Sequence, residues 1–194
     1  MNTQALLKTI LAVSVAVAPL AGAQTDHGAH ASPPATKGNA SGAHDLSKLT
    51  GKAFDRAMLS MMIAHHKGAV DMSKAVQARL KDPQVKRWAQ AVIADQTKEI
   101  NLMSAWLKGM GGADVAMQGA MAADMQRMVT PLKSARNPDR AFVQGMIPHH
   151  ASALDMANLA LQKSADLRVL KLARDIIKAQ ADEMYAFKQW LATN

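Results

Sequence analysis

Two pairs of adjacent histidines, His65-His66 and His149-His150, have the residue type and spacing to do chemistry. Met62 and Met146 stand three residues before each pair, and Met72 and Met156 stand six residues after. On a helix, neighbours three and four apart share a face, so imidazole and thioether are presented together. Imidazole suits copper, zinc, iron and nickel, whereas thioether is a soft donor that selects Cu(I) and Ag(I). The chain has no Cys, which excludes thiol catalysis, disulfide scaffolds, iron–sulfur clusters and cysteine zinc sites. Met is therefore the one soft donor, and 14 of them occur in 194 residues. Glu99 and Glu183 also fall on apolar seams, with Gln96 and Gln180 three residues before them. A charge there needs a partner, because desolvation costs several kcal/mol.

These residues belong to an internal repeat. At an offset of 84 residues, Asp55-Arg56-Ala57 falls on Asp139-Arg140-Ala141, Met62-Ile63 on Met146-Ile147 and His65-His66 on His149-His150. Ten of the eighteen positions from 55 to 72 are identical, and Trp106-Leu107 later falls on Trp190-Leu191. Each copy reads as an α-hairpin. In the first, Phe54, Met58, Met61, His65, Gly68, Met72 and Ala75 step by threes and fours. Asp82-Pro83 supplies a turn and a helix start. One hairpin cannot bury its stripe alone, so the fold class is all-α, a four-helix bundle of two tandem hairpins. Gly109-Met110-Gly111-Gly112 stops the first copy. An extra helix is expected from about Asp114 to Val129, with Met117, Met121, Met125 and Met128 on one face, before a turn-like stretch from Pro131 to Pro138. Pro148 is expected to kink its helix, where the first copy has Ala64.

If the hairpins turn near Asp82 and Asp166, Glu99 lies at the depth of the first His pair and Glu183 at that of the second. Met62 then approaches Leu102 and Met103, and Gln96 sits near Gly68. Each Glu either ligates a metal or accepts a hydrogen bond from the outer nitrogen of a ligating His; the second role is favoured. Gln96 and Gln180 belong to the same supporting layer. Asp71 and Asp155 are expected in surface salt bridges.

The first 23 residues have the form of an export signal: Lys8, an apolar run from Ile10 to Ala18, and Ala21-Gly22-Ala23. Cleavage after Ala23 is expected to release a periplasmic or secreted product with no stable membrane anchor. Residues 24–50 lack hydrophobic periodicity and read as a disordered leader carrying His27, His30 and His44. The bundle then occupies 51–194: repeat one at 52–108, a connector at 109–137 and repeat two at 138–192. Net charge is +8, but Lys and Arg are scattered, so a solvated basic surface is preferred to nucleic-acid binding.

Met62-Ile63-Ala64-His65-His66, Gly145-Met146-Ile147-Pro148-His149-His150, the following Ala-x-Asp-Met, and Gln96-x-x-Glu99 with Trp106-Leu107 resemble the bacterial family catalogued as domain of unknown function 305. The resemblance covers about residues 50–192. It implies a ferritin-like helical bundle and, through exported members of the CopM type, copper binding in sequestration, resistance or delivery. It carries ligand roles to Met62, His65, His66, Met146, His149 and His150, with Met72 and Met156 as candidates. It also suggests a copper donor or acceptor protein as partner. Two other functions stand beside it. A di-metal oxidase would need Glu-x-x-His, which the chain lacks. A metal-free bundle would use its His–Glu network to set register. No nucleophile elbow or phosphate loop is present.

Overall fold

The computed structural model describes residues 45–194. The signal, most of the leader and His27, His30 and His44 lie outside these residues. Five α-helices follow a short 3-10 turn at Leu46–Lys48: α1 (Gly51–Gln77), α2 (Pro83–Gly109), α3 (Val115–Leu132), α4 (Pro138–Lys163) and α5 (Leu167–Thr193). The architecture is all-α. α1 pairs with α2 and α4 with α5 as the two hairpins, α1 packs on α4 between them, and α3 lies along α1. No helix among these residues is long and apolar enough to cross a membrane.

The helix boundaries follow local chemistry. The Asp82 carboxylate accepts from the Gln84 and Val85 amides, and Pro83 occupies the first helical turn, where an amide hydrogen would be idle. Asp114, Asn137 and Asp166 cap α3, α4 and α5 in the same way. Gly111 and Gly112 adopt φ of 87° and 90°, conformations that release the chain from α2 at the glycine stop.

α3 extends to Leu132, past the expected end at Val129, and Pro131 lies inside its last turn rather than in a loop. Burial of Val129 and Leu132 holds that turn in place. Two arginines, Arg56 on α1 and Arg79 just past its C-terminal end, clamp α3 at both ends. Arg56 donates to the Gly112 and Ala113 carbonyls, each at 2.8 Å. Arg79 donates to Ala135 O at 3.0 Å and to Leu132 O.

Residues 45–50 correct the reading of the leader as patternless to its end. Leu46 is buried, and Lys163 donates to the carbonyls of Leu46, Ser47 and Leu49. Lys163 is the repeat equivalent of Arg79, which grips the segment ahead of α4. The segment ahead of α1 is thus the counterpart of the end of α3, and each is held by a cation near the C-terminal end of the opposite repeat's first helix.

Candidate metal centre

α1 and α4 bring the two His pairs into the interior, where all four side chains are fully buried. The His65 and His149 rings meet at the helix crossing with centroids 3.8 Å apart, tilted by 42°. Behind them, α2 and α5 deliver the glutamates. His66 Nε2 lies 2.7 Å from Glu99 Oε2, and His150 Nε2 lies 2.6 Å from Glu183 Oε2. The second carboxylate sits off the N–H direction, so that contact is close but not an aligned hydrogen bond. Each glutamate therefore reaches its own His pair, as the hairpin register requires, but through the second His of each pair.

The partners fix the tautomers. His149 Nε2 is 3.1 Å from the His65 carbonyl, which can only accept. His65 Nε2 is 2.7 Å from Ser152 Oγ, whose single hydrogen is given to the His149 carbonyl at 2.9 Å. That hydroxyl must therefore accept from His65. His66 and His150 face carboxylates through the same atom. His65, His66 and His149 thus carry their proton on Nε2 and present Nδ1 as a bare lone pair, while His150 Nε2 lies beside Glu183 without an aligned bond. None of the four buried Nδ1 atoms has a partner. Native structures rarely bury unpaired acceptors.

The electrostatics keep the crossing rings neutral. Burial pushes His149 down to about 3, with the charge of His150 adding to the effect. Burial, then His149 and His66, holds His65 well below the ordinary histidine range. Neutral imidazole is the metal-binding form.

The four candidate thioethers are buried as well. Met62, Met72 and Met146 are fully buried and Met156 nearly so. They sort into two apolar clusters, Met62 with Met156 and Met72 with Met146, so each cluster takes one thioether from each repeat. Among the described residues, no three His, Asp or Glu side chains form a ready metal cage.

Other expected positions move. Met103 shares the cluster of Met62, but Leu102 faces solvent at 45% exposure. Gly68 does not face Gln96. It faces α3, where a Cβ at residue 68 would stand 2.7 Å from the Met125 Cβ and Cγ. Gln96 and Gln180 are buried between α2 and α5, with no hydrogen bond to any imidazole. Asp71 and Asp155 are exposed, as expected, but pair with no cation among the described residues. α4 remains one continuous helix through Pro148. Sequence reasoning missed Ser152, the hydroxyl between the crossing rings; its position matches Gly68 in the repeat, and that mismatch was the available signal.

The family described as Domain of unknown function (DUF305) matches residues 4–107 and 139–194. CopM in its Cu(I)-bound form is similar at 33% identity and a TM-score of 0.63, covering 72% of this chain and 96% of that one. CopM in its Cu(II)-bound form gives 31% identity and a TM-score of 0.64 over 72% and 96% of the two chains. A DUF305 protein from Streptomyces coelicolor shares the fold at 23% identity and a TM-score of 0.62, over 72% of this chain and 92% of that one. Among curated proteins, uncharacterized protein L153 of Acanthamoeba polyphaga mimivirus is 43% identical over 46 residues, 24% of this chain. The matched stretch spans 30% of that relative's length.

Proposed function

The chain belongs to the DUF305 family, and from that premise we propose that it is an exported copper-binding protein that sequesters or delivers Cu(I), with Ag(I) as a mimic. One observation carries the reading: four buried imidazoles, three of them bonded through Nε2, have four Nδ1 atoms that nothing satisfies. His65, His66, His149 and His150 supply nitrogen, and Met62, Met146, Met72 and Met156 supply sulfur. These donors are neutral and soft, which matches a soft monovalent ion. Glu99 and Glu183 orient the outer rings and raise their basicity, as carboxylates behind ligating histidines do. In this arrangement the carboxylates are committed to imidazoles, which favours binding over di-metal oxidase chemistry. The copper-bound and silver-bound forms of CopM add support by similarity. Cleavage after Ala23 would place the protein in the periplasm or outside the cell, where a copper donor or acceptor protein would meet it.

Purified protein is expected to take Cu(I) from a chromophoric chelator. His149→Ala with His150→Ala is expected to weaken it by roughly a hundredfold, as loss of ligands or their supports does. Ag(I) should compete and Mg(II) should not. Equal affinity of the double variant and its parent would defeat the assignment.

A further inference from the structure

α4 carries a stripe that stays open to solvent. Pro148, Ser152, Asp155, Leu159 and Lys163 follow one another by steps of four and three on one face. Pro148 and Asp155 are exposed there, and Ser152 and Leu159 are only half-buried. At the repeat positions on α1, Ala64 and Gly68 are buried, and Met125 of α3 sits against Gly68. Among the described residues, no helix lies over the α4 stripe as α3 lies over α1. Ser152 makes that gap consequential, since its hydroxyl lies 2.7 Å from His65 Nε2. Both crossing rings are fully buried, so at this half-open serine solvent stands one hydroxyl away from them.

The chain itself leads to the stripe. Lys163, its last member, takes the carbonyls of Leu46, Ser47 and Leu49 and so anchors residues 46–49 at the C-terminal end of α4. Arg79 anchors the end of α3 in the equivalent way. Just upstream of the described residues stand Ala40-Ser41-Gly42-Ala43-His44. We propose that residues 40–44 lie extended along the stripe as a strap, with Gly42 against Asp155 and Ala40 over Ser152, in the place on α4 that α3 takes on α1. Eleven residues of helix separate Ser152 from Lys163, a distance of about 16 Å. An extended chain covers about 3.3 Å per residue, so about five residues bridge it. Ser and Gly are poor helix formers, which suits an extended strap. Gly68 opens α1 to the Met125 side chain, whereas Ser152 fills that position on α4, and the strap brings only small side chains to it. Extended backbone has amides to place, and the exposed Asp155 carboxylate accepts them. The strap closes Ser152 off from solvent and does not depend on copper.

The test is NMR of the copper-free full chain. Backbone order parameters of residues 40–44 are expected above about 0.6, the upper bound of flexible segments. The chain has no Cys, so Gly42→Cys takes a single nitroxide label. Signal loss from that label should be stronger at the amides of Ser152 and Asp155 than at those of their repeat equivalents Gly68 and Asp71. Order parameters below about 0.6 overturn the proposal. So does signal loss no stronger at Ser152 and Asp155 than at Gly68 and Asp71. Mixing nitroxide-labelled chain with 15N chain that carries no nitroxide tests a second copy as the occupant. Unbroadened amides in the mixture keep the strap within one chain, and signal loss at Ser152 would put the second copy on the stripe and overturn the strap.

Discussion

The two repeats carry the same Met-x-x-His-His motif but hold it differently. At the crossing, His149 donates directly to the backbone of repeat one, while His65 reaches the backbone of repeat two only through the Ser152 hydroxyl. The reason is one residue: repeat two has Ser152 where repeat one has Gly68. Gly68 has a different task, admitting Met125 so that α3 can lie against α1. The thioethers differ as well. Met72 is fully buried because its methyl group comes within 3.2 Å of where a Cβ of Gly145 would be. Its counterpart Met156 meets no such gap, since repeat one has Met61 at that position, and it stays 9% exposed. Duplication therefore preserved the donors and the tautomer while the supports diverged. What chemistry requires of the pair is the proton on Nε2, by whatever acceptor the local packing allows.

The largest expected effect tests what the repeats share. Both crossing rings are neutral in the folded protein, with His149 lowered to about 3 and His65 well below its usual value. The unfolded chain protonates them near 6.5, so between that value and about 3 it binds more protons than the fold does. This contribution to stability is complete above about pH 6.5 and is lost as pH falls. At pH 5 the His149 ring accounts for about 2 kcal/mol by this linkage, and His65 acts in the same direction. Urea midpoints of the metal-free protein at pH 7.5 and pH 5 should differ accordingly, and His149→Gln should remove the His149 share of the difference, about 2 kcal/mol. Equal midpoints would mean that the rings protonate without leaving the core.

The second effect tests where the repeats part. Gly68→Ala places a Cβ at 2.7 Å from Met125 atoms near its backbone, closer than side chains can approach. Overpacking of this kind costs about 1–3 kcal/mol. Ala gains about 1 kcal/mol over Gly in helix propensity, which does not cover it. A net loss of up to about 2 kcal/mol is expected in thermal unfolding. Melting at or above the parental temperature would show that this contact does not seat α3.

Periodicity and repetition made much of this legible. The offset of 84 residues located both hairpins, and the turn at Asp82-Pro83 set the register that brings Glu99 and Glu183 to the histidines. A repeat, however, predicts only what repeats. α3 has no full counterpart in repeat one, so nothing in the pattern said that Gly68 would face Met125. The docking of residues 45–50 rests on one lysine collecting three carbonyls, and backbone acceptors leave no trace in a hydrophobic pattern. Leu102 shows the limit of the seam itself: at that position Met103 turned inward in its place.

The smallest effect concerns the inserted hydroxyl. Ser152→Ala removes the acceptor of His65 Nε2, and a buried donor left unpaired costs about 1–3 kcal/mol. Repeat one shows how that cost can be avoided, because His149 reaches the His65 carbonyl with no hydroxyl between them. In the variant, His65 can turn toward the His149 carbonyl in the same manner, which makes the crossing more symmetric. The expected loss is therefore at the low end, about 1 kcal/mol, with the Nε2–H tautomer of His65 retained in its ring 15N shifts. A loss near 3 kcal/mol, or a proton moved to Nδ1, would mean that the hydroxyl is required and that the two repeats are not interchangeable at their centre.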